Sequence, residues 1–105
     1  MTAAPGTKSS RTGKPVPHKP IDATLAQEAI NLVTGPRQQT YAHPAVNFAR
    51  IAKGWEMILG VTITPEQVAA CMVKVKLARE VNAHTRDNIV DAIGYLLTLD
   101  ACRED

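Results

Sequence analysis

From Thr64 to Leu99 the chain has apolar residues spaced by three and four, and no long alternation of period two, so this stretch folds as helices. Val61 to Ile63 alternates, but is too short to build a strand on. Four formal charges sit inside these oily helices. Lys76 and Arg79 are three apart, and Asp87 and Asp91 are four apart, so each pair shares one helix face. Charge on such a helix is costly unless it is paired, bound to an ion or aimed at a ligand. The pattern predicts a polar, nucleotide-handling site without specifying a reaction.

Punctuation along the chain predicts the remaining elements. Asp22 suits the N-cap of a first helix running to about Val33, ended by Gly35-Pro36. A second helix runs from Pro44 to Leu59 with Gly60 as its C-cap, and Phe48, Ile51, Ala52, Trp55, Ile58 and Leu59 form its inner face. Thr64-Pro65-Glu66-Gln67 reads as a capping box opening a third helix to about Val81. Thr85 caps a fourth, with Asp87 in the first turn, and the last five residues are expected to fray. The fold class is therefore all-α, a compact bundle of about four helices. The third helix leaves only a narrow polar side, which predicts burial within the monomer and against another copy, in a dimer or higher oligomer.

A length of 105 residues suits one domain. Lys8, Arg11, Lys14 and Lys19 all precede the first acid, Asp22, leaving eight basic against ten acidic residues in the remainder. The basic balance thus belongs to the tail, whose prolines and glycines predict a disordered arm over residues 1–21 before a helical domain over 22–101. A globally basic nucleic-acid-binding domain is not supported, and contact with nucleic acid is expected only through that arm. Cys71 and Cys102 read as reduced thiols. No apolar run approaches the roughly 20 residues that span a bilayer, and no secretory h-region is present, so a cytoplasmic protein with no membrane partner is expected.

The candidate site residues follow from this frame. Arg79 lies seven after Met72 and four after Val75, so it is expected on the apolar side, paired with Asp87 or Asp91 or aimed at phosphate. Asp87, Asp91, Gly94, Tyr95 and Thr98 form a polar stripe, in which Gly94 is expected to permit close approach of a backbone or ligand. Asp87 and Asp91 could share a magnesium ion with substrate phosphates, and Glu56 and Glu80 would enlarge that acidic set. The alternative is that Asp87 serves the helix dipole, Asp91 pairs with a base and Glu56 with Lys53. Tyr41 and His43 stand at a helix N-terminus, which binds anions, and Asn47 lies one turn inside. Tyr41 suits base stacking or packing over the helix end; Trp55 suits the core.

Thr40-Tyr41-Ala42-His43-Pro44, Asn47-Phe48-Ala49-Arg50-Ile51-Ala52 with Trp55, Ile63 to Ala69, Lys76-Leu77-Ala78-Arg79 and Asp87 to Tyr95 together resemble a family of small phage and prophage proteins of unknown function. The resemblance covers about residues 36–99, with Ala42 where glycine is typical. More distantly, the order of Lys76 and Arg79, then Asp87, Asp91, Gly94 and Tyr95, is similar to phage nucleotide-modification-associated helical domains and to MazG-like all-α nucleotide pyrophosphohydrolases. The latter hold magnesium with two carboxylate pairs; here Glu56 is the lone acid of the second helix, so that cage is incomplete.

These resemblances imply an oligomeric helical protein of a phage that binds, and could sequester, a nucleotide or nucleotide-derived host defence signal. Its ligand-binding residues would be Tyr41, His43, Asn47, Lys76, Arg79, Asp87, Asp91 and Tyr95. A diverged magnesium-dependent pyrophosphohydrolase and a non-catalytic structural or interaction protein are the alternatives.

Overall fold

The computed structural model describes residues 17–35 and 43–104. Four helices make up the fold: α1 (Thr24–Thr34), α2 (Pro44–Leu59), α3 (Pro65–Asn82) and α4 (Arg86–Ala101). No strand occurs among the described residues, so the architecture is all-α, as expected. The helices fall within the 22–101 domain read from the sequence. The first 16 residues of the expected arm lie outside the described residues.

Local chemistry sets most of the boundaries. The Thr64 hydroxyl accepts the Gln67 N–H at 3.1 Å while the Gln67 side chain accepts the Thr64 N–H at 2.9 Å, the reciprocal box the sequence predicts. The Thr85 hydroxyl accepts the Asn88 N–H at 3.2 Å and opens α4. Gly60 closes α2 in the left-handed region, φ 74°, where its N–H donates to the Glu56 carbonyl at 2.8 Å. At α1 the boundary differs by a residue or two: the helix begins at Thr24, and the Asp22 carboxylate accepts the Thr24 N–H at 2.9 Å.

α3 and α4 form an antiparallel hairpin, the most extensive packing in the molecule, and α4 also touches both α1 and α2. α1 runs alongside α4 in the same direction. Arg86, at the start of α4, donates to Glu28 at 3.0 Å, to the Thr24 hydroxyl at 3.1 Å and to Asp22 at 3.4 Å. Farther along, Gly94 meets Val33. α2 crosses the other end of the hairpin, where Phe48 and Ala52 pack with Val68, Ala69 and Cys102, flanked by Trp55, Met72, Tyr95 and Leu99. Trp55 is thus a core residue. Cys102, expected in a fraying tail, is instead buried in this cluster, and that burial pushes its thiol pKa up. Gly94 also departs from expectation. A Cβ there would lie 3.5 Å from Val33, an ordinary contact, so the approach of α1 does not demand glycine.

The hairpin turn is tied by one carboxylate. Glu80 accepts from the His84 ring, from the Thr85 N–H at 3.2 Å and from the Asn88 amide at 3.2 Å. Asn88, buried, donates also to the Ala83 carbonyl at 3.3 Å. These bonds, the His84 one foremost, hold the Glu80 carboxyl below its ordinary value of 4.5.

Glycine substitutions test the backbone. Gly54, mid-helix with open space where a Cβ would stand, should gain about 0.5–1 kcal/mol on mutation to Ala. Gly60→Ala should lose about 1–2 kcal/mol by forcing an L-residue into positive φ. Urea midpoints should move in these opposite directions, with Gly94→Ala unchanged or raised. The Glu80 knot makes a pH prediction. Its folded pKa is depressed, so its stabilisation is present above pH 4.5, the ordinary value, and is lost as pH falls through the folded one. The urea midpoint gap between the parent chain and Glu80→Gln should therefore be full above pH 4.5 and shrink as pH falls below it.

Candidate functional site

One face of the hairpin is half covered. α2 packs over it as far as Met72 on α3 and Tyr95 on α4. Beyond those residues, toward the turn, the same stripes carry Lys76 and Asp91, then Arg79 and Asp87, because residues four or seven apart share an azimuth. Lys76 Nζ lies 2.9 Å from Asp91 Oδ2, bridging α3 to α4, with side chains 17% and 37% exposed. The ion pair foreseen for this region therefore forms, but its cation is Lys76.

Arg79 is exposed, contrary to the expectation of a core-facing guanidinium. The apolar stripe of α3 simply outruns the helix that covers it, and Val75 is left half exposed for the same reason. Arg79 and Asp87 make no ion pair or side-chain hydrogen bond among the described residues. Asp87 stands exposed in the first turn of α4, where the helix dipole favours it. The result is a shallow platform of two cations and two carboxylates, with one guanidinium fork unengaged. Such a fork suits phosphate or carboxylate oxygens.

The other sequence candidates lie elsewhere. Tyr41 falls outside the described residues. Tyr95 packs against Phe48 with the rings tilted by 43° and their centroids 6.3 Å apart, at the margin of the core. Asn47 is exposed on the first turn of α2. His43 caps that helix: its Nδ1 accepts the Ala45 N–H at 3.0 Å, which places the ring proton on Nε2. His43 also borders a groove of about 400 Å³ between α1, the start of α2 and the end of α4, lined by Ile30, Val33 and Leu97. The hydroxyls of Thr34 and Thr98 there are spent on their own helices' carbonyls, at 2.6 and 2.9 Å.

Glu56 has a structural task. It accepts the Ile63 N–H at 2.8 Å, closing the α2–α3 turn, and lies 3.5 Å from Lys53. That backbone bond, more than Lys53, lowers its pKa. Asp91 is engaged by Lys76. Among the described residues no three His, Cys, Asp or Glu side chains converge to hold a metal, so Glu56, Asp87 and Asp91 do not form the magnesium set considered above. Also among the described residues, no helix is long and apolar enough to cross a membrane.

Arg86 escaped the sequence reading, and Glu80, read there only as an addition to the acidic set, instead ties the α3–α4 turn at the same end of the hairpin. A signal for Arg86 existed: a cation in the first turn of a helix opposes the dipole and calls for nearby carboxylates.

Comparison with known proteins places the chain in a family. Residues 24–102 match the family model described as a domain of unknown function, DUF6378. The Gene 55 protein of Mycobacterium phage L5 is 40% identical over 79 residues, which are 73% of this chain and 49% of that protein. The Gene 55 protein of Mycobacterium phage D29 is 34% identical over 76 residues, 71% of this chain and 50% of that protein. The chain thus spans about half the length of these curated relatives. No solved structure matches.

Proposed function

We propose that this chain, which belongs to the DUF6378 family of phage-related proteins of unknown function, binds a nucleotide or nucleotide-derived anion on the Lys76–Arg79–Asp87–Asp91 platform, in the cytoplasm of a bacterial host. The carrying observation is Arg79: exposed, unpaired among the described residues, and one turn from a second cation. Arg79 takes a phosphate in bidentate fashion. Lys76 adds a second contact, at the expense of its bridge to Asp91. With its carboxylate 37% exposed, such a pair contributes on the order of 1 kcal/mol, so phosphate can compete for it. Asp87 and Asp91 then face ribose hydroxyls. The resemblance to nucleotide-modification-associated helical domains supports the choice of ligand. Binding is favoured over hydrolysis because the carboxylates that would cradle magnesium are apart or already engaged. Sequestration of a signalling nucleotide would need no more than this.

Thermal-shift measurements against mono-, di- and cyclic nucleotides test the proposal. A ligand at 100 times its Kd should stabilise the chain by about 2.7 kcal/mol, a rise in Tm of several degrees. Arg79→Ala should abolish the shift while leaving the unliganded Tm unchanged, since the side chain is exposed. Absence of any shift at millimolar nucleotide overturns the reading, and magnesium-dependent phosphate release would replace it with the enzymatic one.

A further inference from the structure

α2 covers one side of the α3–α4 hairpin; the opposite side carries apolar side chains that stand exposed among the described residues. On α3 that side carries Ala70, Leu77 and Val81, about half a turn from the Val68–Met72 stripe that meets α2. Leu77 is 48% exposed and Val81 89%. With Lys74 the series runs 70, 74, 77, 81, the four–three–four spacing of a helix–helix seam. On α4 the neighbouring side carries Ile89, Ile93 and Leu96, spaced by four and three, with Leu96 53% exposed.

We propose that this side is the interface with a second copy of the chain, α3 and α4 of each forming a four-helix arrangement about a two-fold axis beside Ala70. Charge placement selects the second copy as occupant. Glu66 and Lys74 lie four residues either side of Ala70 and flank it by about 40° in opposite senses. Neither makes an ion pair among the described residues. A two-fold axis at Ala70 brings Lys74 of each copy level with Glu66 of the other across the seam, so the patch is complementary to itself. The small side chain of Ala70 allows close approach there. Lys76 points about 160° away from Lys74, so the interface leaves the platform open and does not depend on the nucleotide reading.

Sedimentation velocity of the chain from about 10 to 200 μM should give a species of twice the 11.3 kDa chain mass. Leu77→Glu with Leu96→Glu should give a helical monomer by circular dichroism. Lys74→Glu, on an exposed side chain, should weaken dimerisation at least tenfold, and adding Glu66→Lys should restore it. A monomeric parent chain overturns the proposal. So does a dimer indifferent to Leu77→Glu and Leu96→Glu, which would instead implicate the exposed Met57–Leu59 end of α2. Failure of Glu66→Lys to rescue overturns the two-fold placement. Nucleotide titration of the Leu77→Glu, Leu96→Glu chain reads the platform separately.

Discussion

The packing of α4 against all three other helices is the interaction on which this chain depends. Among the described residues Val68 and Val90 are the largest wholly buried side chains, so the core that shares the load is thin. α4 meets its neighbours with small or short groups: Ala92, Gly94 and Thr98 are buried, and the Thr98 hydroxyl is returned to the Gly94 carbonyl so that it needs no partner. Helices can then lie close, and dispersion contacts replace bulk. The polar ties sit where this packing ends. Arg86 holds α1 to the start of α4, Glu80 ties the hairpin turn, and Glu56 fastens the turn before α3. Each uses a carboxylate and leaves the central contacts dry.

A thin core also explains the distribution of charge. The hairpin residues packed with α2 lie between Val68 and Met72 and between Tyr95 and Cys102, one end of that surface. Where the cover stops, apolar stripes give way to Lys76, Asp91, Arg79 and Asp87. Lys76 and Asp91, nearest the cover, neutralise each other; Arg79 and Asp87, farther out, rely on water. The gradient from buried apolar through paired charge to free charge follows the declining cost of exposing each group to its surroundings.

Outside the start of α1, the local signals were legible in the sequence. Thr64, Gln67, Thr85 and Gly60 act through bonds within a few residues, and each does what its type and spacing imply. What the sequence concealed was reach. Periodicity gives the azimuth of Arg79 correctly, on the Val68–Met72 stripe, but not how far along that stripe a neighbouring helix extends. The same gap hid Cys102, whose burial depends on α2 crossing the end of α4. Partners distant in sequence were equally opaque: Glu28 and Arg86 are 58 residues apart, and no local pattern joins them. The acidic residues looked like a metal set because carboxylates are interchangeable on paper. In space Glu56 is committed to Ile63 and Asp91 to Lys76.

α3 carries both proposed roles, and their separation is a matter of helical phase. Lys74 and Lys76 are two residues apart, so about 200° of rotation divides them and they address opposite sides of the hairpin. α3 is held by α4 along the hairpin and by α2 at one end, so its phase is already set within one copy. A second copy seated at Ala70 and Leu77 would leave the Lys76–Arg79 ridge where α4 fixes it. Assembly and anion capture are then structurally distinct, because opposite sides of one fixed helix present them.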